Sequence, residues 1–347
     1  MSKLAFQSQM YQGWMKEVFL SSGSKWALMI EAPEEDPFEG RLNILARAPL
    51  PGGDSEELKY ILQGSKGAEE YFERLIGTYD ARRWVKVWQG PNEPPVGERT
   101  FRLCLVDFSI RWTELMHEHG LQNGVGAFSV GWPHNDVGHI IELSPMFRDA
   151  DYIITHEYSA PTMMDRAGSH CLRYRWLYDT LRSVVRFEPP PLLLGEVGID
   201  GGVAPIHKAE TGWKTYCNGN FEIYVGQLKW FDGEIQRDSY VVAAFIFVFG
   251  GHSQWNDFDI DESNARKLAV YMAGTQPDEP LPQDETAMDA ATLAEKCRWF
   301  TEEATRQLEQ GNVGKALEIL KGIINLDNGL FYRLECLLKE NWLKGAS

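Results

Sequence analysis

The chain has 347 residues, 24% of them charged and 44% hydrophobic, with a formal net charge of −16. Such a length holds one large domain of roughly 250 residues and a modest further segment, while the acidic excess repels phosphate backbones and argues against nucleic acid as a partner. Five cysteines, odd in number, far apart and without a CxxC pair, argue against a disulfide framework or a structural zinc site.

Short β-branched or apolar runs alternate with helical patterns, which is the signature of a βα repeat and a parallel sheet. In chain order the strand runs are 3–7, 26–31, 42–46, 84–88, 124–130, 152–155, 192–195 and 241–249. Before the fourth, Ala68, Tyr71, Phe72, Leu75 and Ile76 recur at helical spacing, so one face of that helix is apolar. Leu177, Leu181 and Val184 do the same before the seventh, and 101–119 and 262–273 give two further helical patterns. The connection 33–41 is too short and proline-rich for a full helix. Eight strands with one degenerate connection favour a closed (β/α)8 TIM barrel over residues 1–274. An acidic, proline-rich linker follows at 275–287, opening with TQPDEPLPQDET. Beyond it only helical patterns occur. Val313, Leu317, Leu320 and Ile324 share one face, and 288–347 reads as a small C-terminal helical segment, packed on the barrel or on a partner.

The chemistry-bearing residues follow from where strands end. Cleaving a glycosidic bond requires two carboxyl groups on opposite sides of the anomeric carbon. In a barrel, such groups sit at the C-terminal ends of strands. Two places fit. WVKVWQGPNEPP runs a strand into Asn92-Glu93-Pro94-Pro95, where the prolines stiffen the loop around Glu93. PPLLLGEVGIDGG delivers Glu196 between Gly195 and Val197-Gly198, small neighbours that leave room for a substrate. Asn92 offers a donor and an acceptor to a sugar hydroxyl. The 12 tryptophans exceed what a core ordinarily uses, and flat aromatic faces stack on sugars. Trp132 and His134, in GWPHND after the fifth strand, can bind sugar or pack their loop. Trp213, in the long loop after the seventh strand, is a candidate lid residue.

With NEP ending the fourth strand and a glutamate ending the seventh, the chain resembles clan A of the glycoside hydrolases. These are (β/α)8 enzymes that include families 5 and 39. The resemblance spans roughly residues 3–274. It implies Glu93 as general acid/base, Glu196 as nucleophile and Asn92 as a ligand of the hydroxyl beside the reacting carbon. His156 and Tyr158, in Thr155-His156-Glu157-Tyr158, match the family 5 H-x-Y element, whose tyrosine orients the nucleophile. Trp255 would be the aromatic platform after the eighth strand, although five residues separate it from Phe249. Arg47 would be the arginine near the nucleophile. The resemblance further implies hydrolysis with retention, carboxyl groups about 5–5.5 Å apart, and a Glu93 kept protonated by its negative neighbour.

No HExxH cluster is present, so neither a metal nor an organic cofactor is expected. The expected partner is an oligo- or polysaccharide. The N-terminal stretch lacks the apolar region of a signal peptide, and no run approaches the ~20 apolar residues of a membrane span. A cytoplasmic location is therefore the default expectation, with non-classical release as the alternative. Two other readings remain at this level: a non-catalytic carbohydrate-binding barrel, and an assembly component whose C-terminal helices associate with themselves or with a partner.

Overall fold

The computed structural model describes residues 2–134, 136–203 and 211–274, together with Arg306. Contacts divide the chain into two compact units, residues 1–165 with 169–277, and residues 166–168 with 278–347. All the elements described below belong to the first. The expected linker at 275–287 lies outside the described residues, as do the expected helices at 288–347 apart from Arg306.

Eight parallel strands close into a barrel in the order β1 to β8. The elements run β1 Leu4–Ser8, α1 Gly13–Ser21, β2 Trp26–Ile30, β3 Asn43–Arg47, α2 Asp54–Ile61, α3 Ser65–Ala81, β4 Val87–Gln89, α4 Arg99–Glu118, β5 Asn123–Phe128 and α5 Val137–Leu143. They continue β6 Tyr152–Ser159, α6 Tyr174–Thr180, β7 Leu192–Ile199, α7 Trp213–Tyr216, α8 Phe221–Gln236, β8 Val241–Phe249 and α9 Glu262–Gly274. The TIM barrel expected from the alternating pattern is thus the observed fold. No helix separates β2 from β3, in line with the short proline-rich connection.

Alternation along each strand fills the lumen. Ala5, Leu28, Leu45, Val87, Ala127, Ile154, Leu193, Ala243 and Phe245, drawn from all eight strands, pack as one cluster. This plugs the barrel floor, so polar side chains one rung higher face only the C-terminal mouth. On the outside, α3 buries Ala68, Tyr71, Phe72 and Leu75, the stripe expected from spacing. Val184 departs from expectation, being 46% exposed. The helix begun by α6 widens into a π-turn over Leu181–Val185, which rotates Val184 off the face set by Leu177 and Leu181.

Seven strands differ from their expected extents by at least one residue, and the differences in three of them bear on the mouth. β4 covers only Val87–Gln89, starting three residues later than expected and ending one residue nearer the glutamate loop. β6 and β7 each run to eight residues, four longer than their apolar runs. Their extra length carries polar residues inside the ladder, where hydrophobic patterning gives no signal.

Candidate active site

Glu93 stands just past β4 with φ at +43°. A non-glycine residue rarely occupies this region, and the residue before a proline ordinarily prefers an extended backbone. The conformation is held by the Glu93 N–H, which donates to the Ala127 carbonyl at 3.0 Å, and by Asn92, whose N–H donates to buried Glu57 at 2.9 Å. Strained backbone of this kind persists where surroundings over-determine it. Its result is a carboxylate turned over the barrel mouth, with its side chain 36% exposed.

Glu196 reaches the same place by a change of register. Along β6 and β7, Thr155 pairs with Leu194, but His156 pairs with Glu196, so Gly195 is an extra residue in the ladder. Strict alternation from lumenal Leu193 would point Gly195 inward and Glu196 outward. The bulge turns Glu196 into the mouth. Glycine is required at the bulge, because a Cβ there would stand 2.8 Å from Ile154 and 3.3 Å from the His156 ring. The small residue thus makes room for the imidazole, whereas the sequence suggested room for substrate. Tyr158 donates to Glu196 Oε2 at 2.7 Å, and Gln7, from β1, approaches the other oxygen at 3.5 Å.

His156 lies between the two carboxylates. Its Nδ1 is 2.8 Å from Glu93 Oε1 and 3.7 Å from Glu196 Oε2. Burial opposes its charged form, but the Glu196 charge and the Glu93 hydrogen bond outweigh that, and its pKa is raised. Burial likewise pushes Glu93 up, yet the His156 hydrogen bond and charge, with a Ser129 hydroxyl, bring it below its usual range. The direction runs against the expectation that the negative neighbour keeps Glu93 protonated, because the imidazole between the two carboxylates favours the ionised form of Glu93. Burial and the Glu196 charge push Tyr158 upward, so it remains a donor.

Five expected ligands are distributed around this centre. Asn92 has its side-chain oxygen on Gln89 at 3.1 Å and its amide nitrogen 3.5 Å from Asp54, so its amide is already engaged by protein. Arg47 is not hydrogen-bonded to Glu196; it pairs with Asp54 and with Glu57, the latter at 3.3 Å, and its charge acts on Glu93. Trp255 packs edge-on against Phe247 at 5.2 Å, and Phe247 in turn against Tyr158 at 6.1 Å. The loop position therefore does reach the rim, through Phe247. Trp132 lies against His134 at 3.7 Å, and a Cβ on Gly97 would meet its ring at 3.2 Å, so both flank the glutamate loop on the β5 side. Trp213 is no lid residue: it is buried, stacked on Tyr224 at 5.4 Å, with its indole N–H on the Phe258 carbonyl at 2.8 Å.

Gln7, Ser129 and Phe247 are not singled out by sequence. None carries a local signal, because each matters only through a neighbour on another strand. For a metal, Glu93, His156 and Glu196 offer ligand atoms within 4.8 Å of one another. The other imidazole nitrogen, Nε2, is buried without a partner, whereas a metal-bound imidazole ordinarily rests its second nitrogen on an acceptor. Among the described residues, no helix is long and apolar enough to cross a membrane.

No protein-family pattern and no curated protein matches the sequence. Several solved structures are similar in backbone course. A family 39 glycoside hydrolase from the gut symbiont Bacteroides cellulosilyticus WH2 has 12% identity and a TM-score of 0.49, covering 79% of this chain and 64% of that one. The chain thus spans just under two-thirds of that enzyme. A GH128 endo-β-1,3-glucanase from Amycolatopsis mediterranei has 10% identity and a TM-score of 0.46, covering 78% and 99%. A glucosidase from Croceicoccus marinus has 13% identity and a TM-score of 0.49, covering 79% and 67%.

Proposed function

We propose that the protein is a retaining O-glycosidase acting on an oligo- or polysaccharide, with Glu196 as nucleophile and Glu93 as acid/base. The observation that carries this reading is the convergence of two carboxylates from β4 and β7, with oxygens within 4.8 Å. Oxygens no farther apart than that favour direct attack by one carboxylate, for which carboxyl groups about 5–5.5 Å apart are usual, over activation of an intervening water, which needs about 6.5–9.5 Å.

Glu196 forms a bond to the anomeric carbon as the bond to the leaving oxygen breaks. The leaving oxygen takes a proton from Glu93. That proton is stored on His156, whose raised pKa depends on the charge of Glu196. As Glu196 gives up its charge to the new bond, the imidazolium loses that support and releases its proton across the 2.8 Å contact to Glu93. In the second step Glu93 takes a proton from water, the water oxygen bonds to the anomeric carbon, and the Glu196 carboxylate is freed. Tyr158 orients Glu196 throughout, and Trp255, backed by buried Phe247, supplies the apolar face against which a sugar ring stacks.

The test is a screen of aryl glycosides and soluble glycans with wild type, Glu93→Gln and Glu196→Gln, with the product anomer followed by NMR. Hydrolysis with retention that both variants lose is the expected result. Glycan binding without turnover by wild type would replace the enzyme reading with the carbohydrate-binding one.

A further inference from the structure

We propose that Asp200 contacts the substrate, reading hydroxyl groups of an uncharged sugar and turning uronic acids away. The inference rests on the glycosidase reading and adds the substrate class to it. Asp200 stands just past the end of β7, at the C-terminal face of the barrel. The strand end is anchored there by the Asp200 N–H, which donates to the Ser159 carbonyl at 3.2 Å. One carboxylate oxygen accepts from the Gly202 N–H at 2.7 Å. The second has no hydrogen-bond partner, and no cationic side chain forms an ion pair with Asp200, among the described residues.

Three residues on, Val203 packs against the cluster of Tyr158, Phe247, Val248 and Phe258, as Trp255 does. The half-buried carboxylate therefore opens a loop that runs onto the aromatic wall, within range of the charges of Glu93 and Glu196. Burial raises its pKa, and the charges of Glu93 and Glu196 add to the rise. A half-buried acid without a cation needs donors, and sugar hydroxyls are donors. A uronate would bring a further negative charge to a mouth that already holds Glu93, Glu196 and Asp200, while nearby Arg47 is engaged by Asp54 and Glu57.

The experiment compares wild type, Asp200→Asn and Asp200→Ala on matched aryl glycosides of neutral sugars, uronic acids and amino sugars, with binding of the same compounds followed by calorimetry. Asp200→Asn keeps the shape and the acceptor for Gly202. KM for neutral glycosides is expected to rise about tenfold to a hundredfold, the range of a hydrogen bond to a charged group, with kcat changed by about threefold at most. Uronides should bind the asparagine variant better than wild type. An unchanged KM in both variants overturns the inference while leaving the glycosidase reading intact. Tighter binding of an amino sugar than of its hydroxyl analogue overturns it in favour of ammonium recognition. Failure of wild type to cleave or bind any glycoside removes the glycosidase reading, and the inference with it.

Discussion

At the end of β4, a three-residue strand gives way to a proline-flanked loop with Glu93 in a left-handed backbone conformation. At the end of β7, an eight-residue strand keeps Glu196 inside the ladder and aims it by a bulge. The first carboxylate is positioned by local stiffness and by hydrogen bonds to Ala127 and Glu57. The second is positioned by register with β6. The difference suits the two proposed tasks. A proton donor fed through His156 would stay partly exposed, as Glu93 does at 36%, whereas a nucleophile would hold one line of attack, and Glu196 is only 18% exposed.

The largest effect that separates the two ends comes from the leaving group. Glu196→Gln should abolish turnover of every substrate, because the covalent route is lost. Glu93→Gln should cost about 10²–10⁴-fold on glycosides with poor leaving groups, yet spare the first step on activated aryl glycosides, which depart without a proton. Equal losses on both substrate types would show that the roles are misassigned. Next in size is Tyr158→Phe, which removes the 2.7 Å hydrogen bond to Glu196. Its expected cost in kcat is about 10–100-fold, the equivalent of one charge-assisted hydrogen bond; an unaltered kcat would leave the strand alone as the positioning device. Gly195→Ala probes that strand. The added methyl meets Ile154 and the His156 ring, so a stability loss of about 1–3 kcal/mol should accompany a fall in kcat of about tenfold. Calorimetric melting beside kinetics checks both, and an alanine variant as stable and active as wild type would refute the account of the bulge.

The same contrast explains what could be read from sequence. The barrel was legible because apolar runs and helical stripes are local patterns, and Glu93 and Glu196 were legible because glycine and proline punctuate the strand ends around them. The bulge at Gly195 was not, since it exists only as a mismatch between β6 and β7. His156 and Tyr158 stood out through the family resemblance, but nothing in their spacing says that the imidazole enters between the two carboxylates. Arg47 shows the reverse failure. Its place at the end of β3 was right, while its partners, Asp54 and Glu57, come from α2 and draw it to the Glu93 side. Trp213 looked like a loop aromatic because its acceptor, the Phe258 carbonyl, lies 45 residues away.

The smallest effect concerns the proton that links the two ends. His156 is raised above its ordinary 6.5, with Glu196 and Glu93 overcoming burial, while Glu93 is held below its ordinary 4.5 chiefly by His156 against burial. A raised histidine contributes stability that is full below its unfolded pKa and lost as pH climbs through its folded one. A depressed glutamate contributes stability that is full above its unfolded pKa and lost as pH drops through its folded one. The pair is therefore most stabilising between pH 4.5 and 6.5, and its contribution fades on both sides. The stability difference between wild type and Glu93→Gln, followed by denaturant unfolding across pH, should peak in that window. In the same variant the NMR titration midpoint of the His156 imidazole should fall, because a glutamine supplies no charge to hold its proton. If the midpoint stays where wild type has it, the imidazole takes its proton affinity from Glu196 alone, and the acid at the β4 end is not fed through His156.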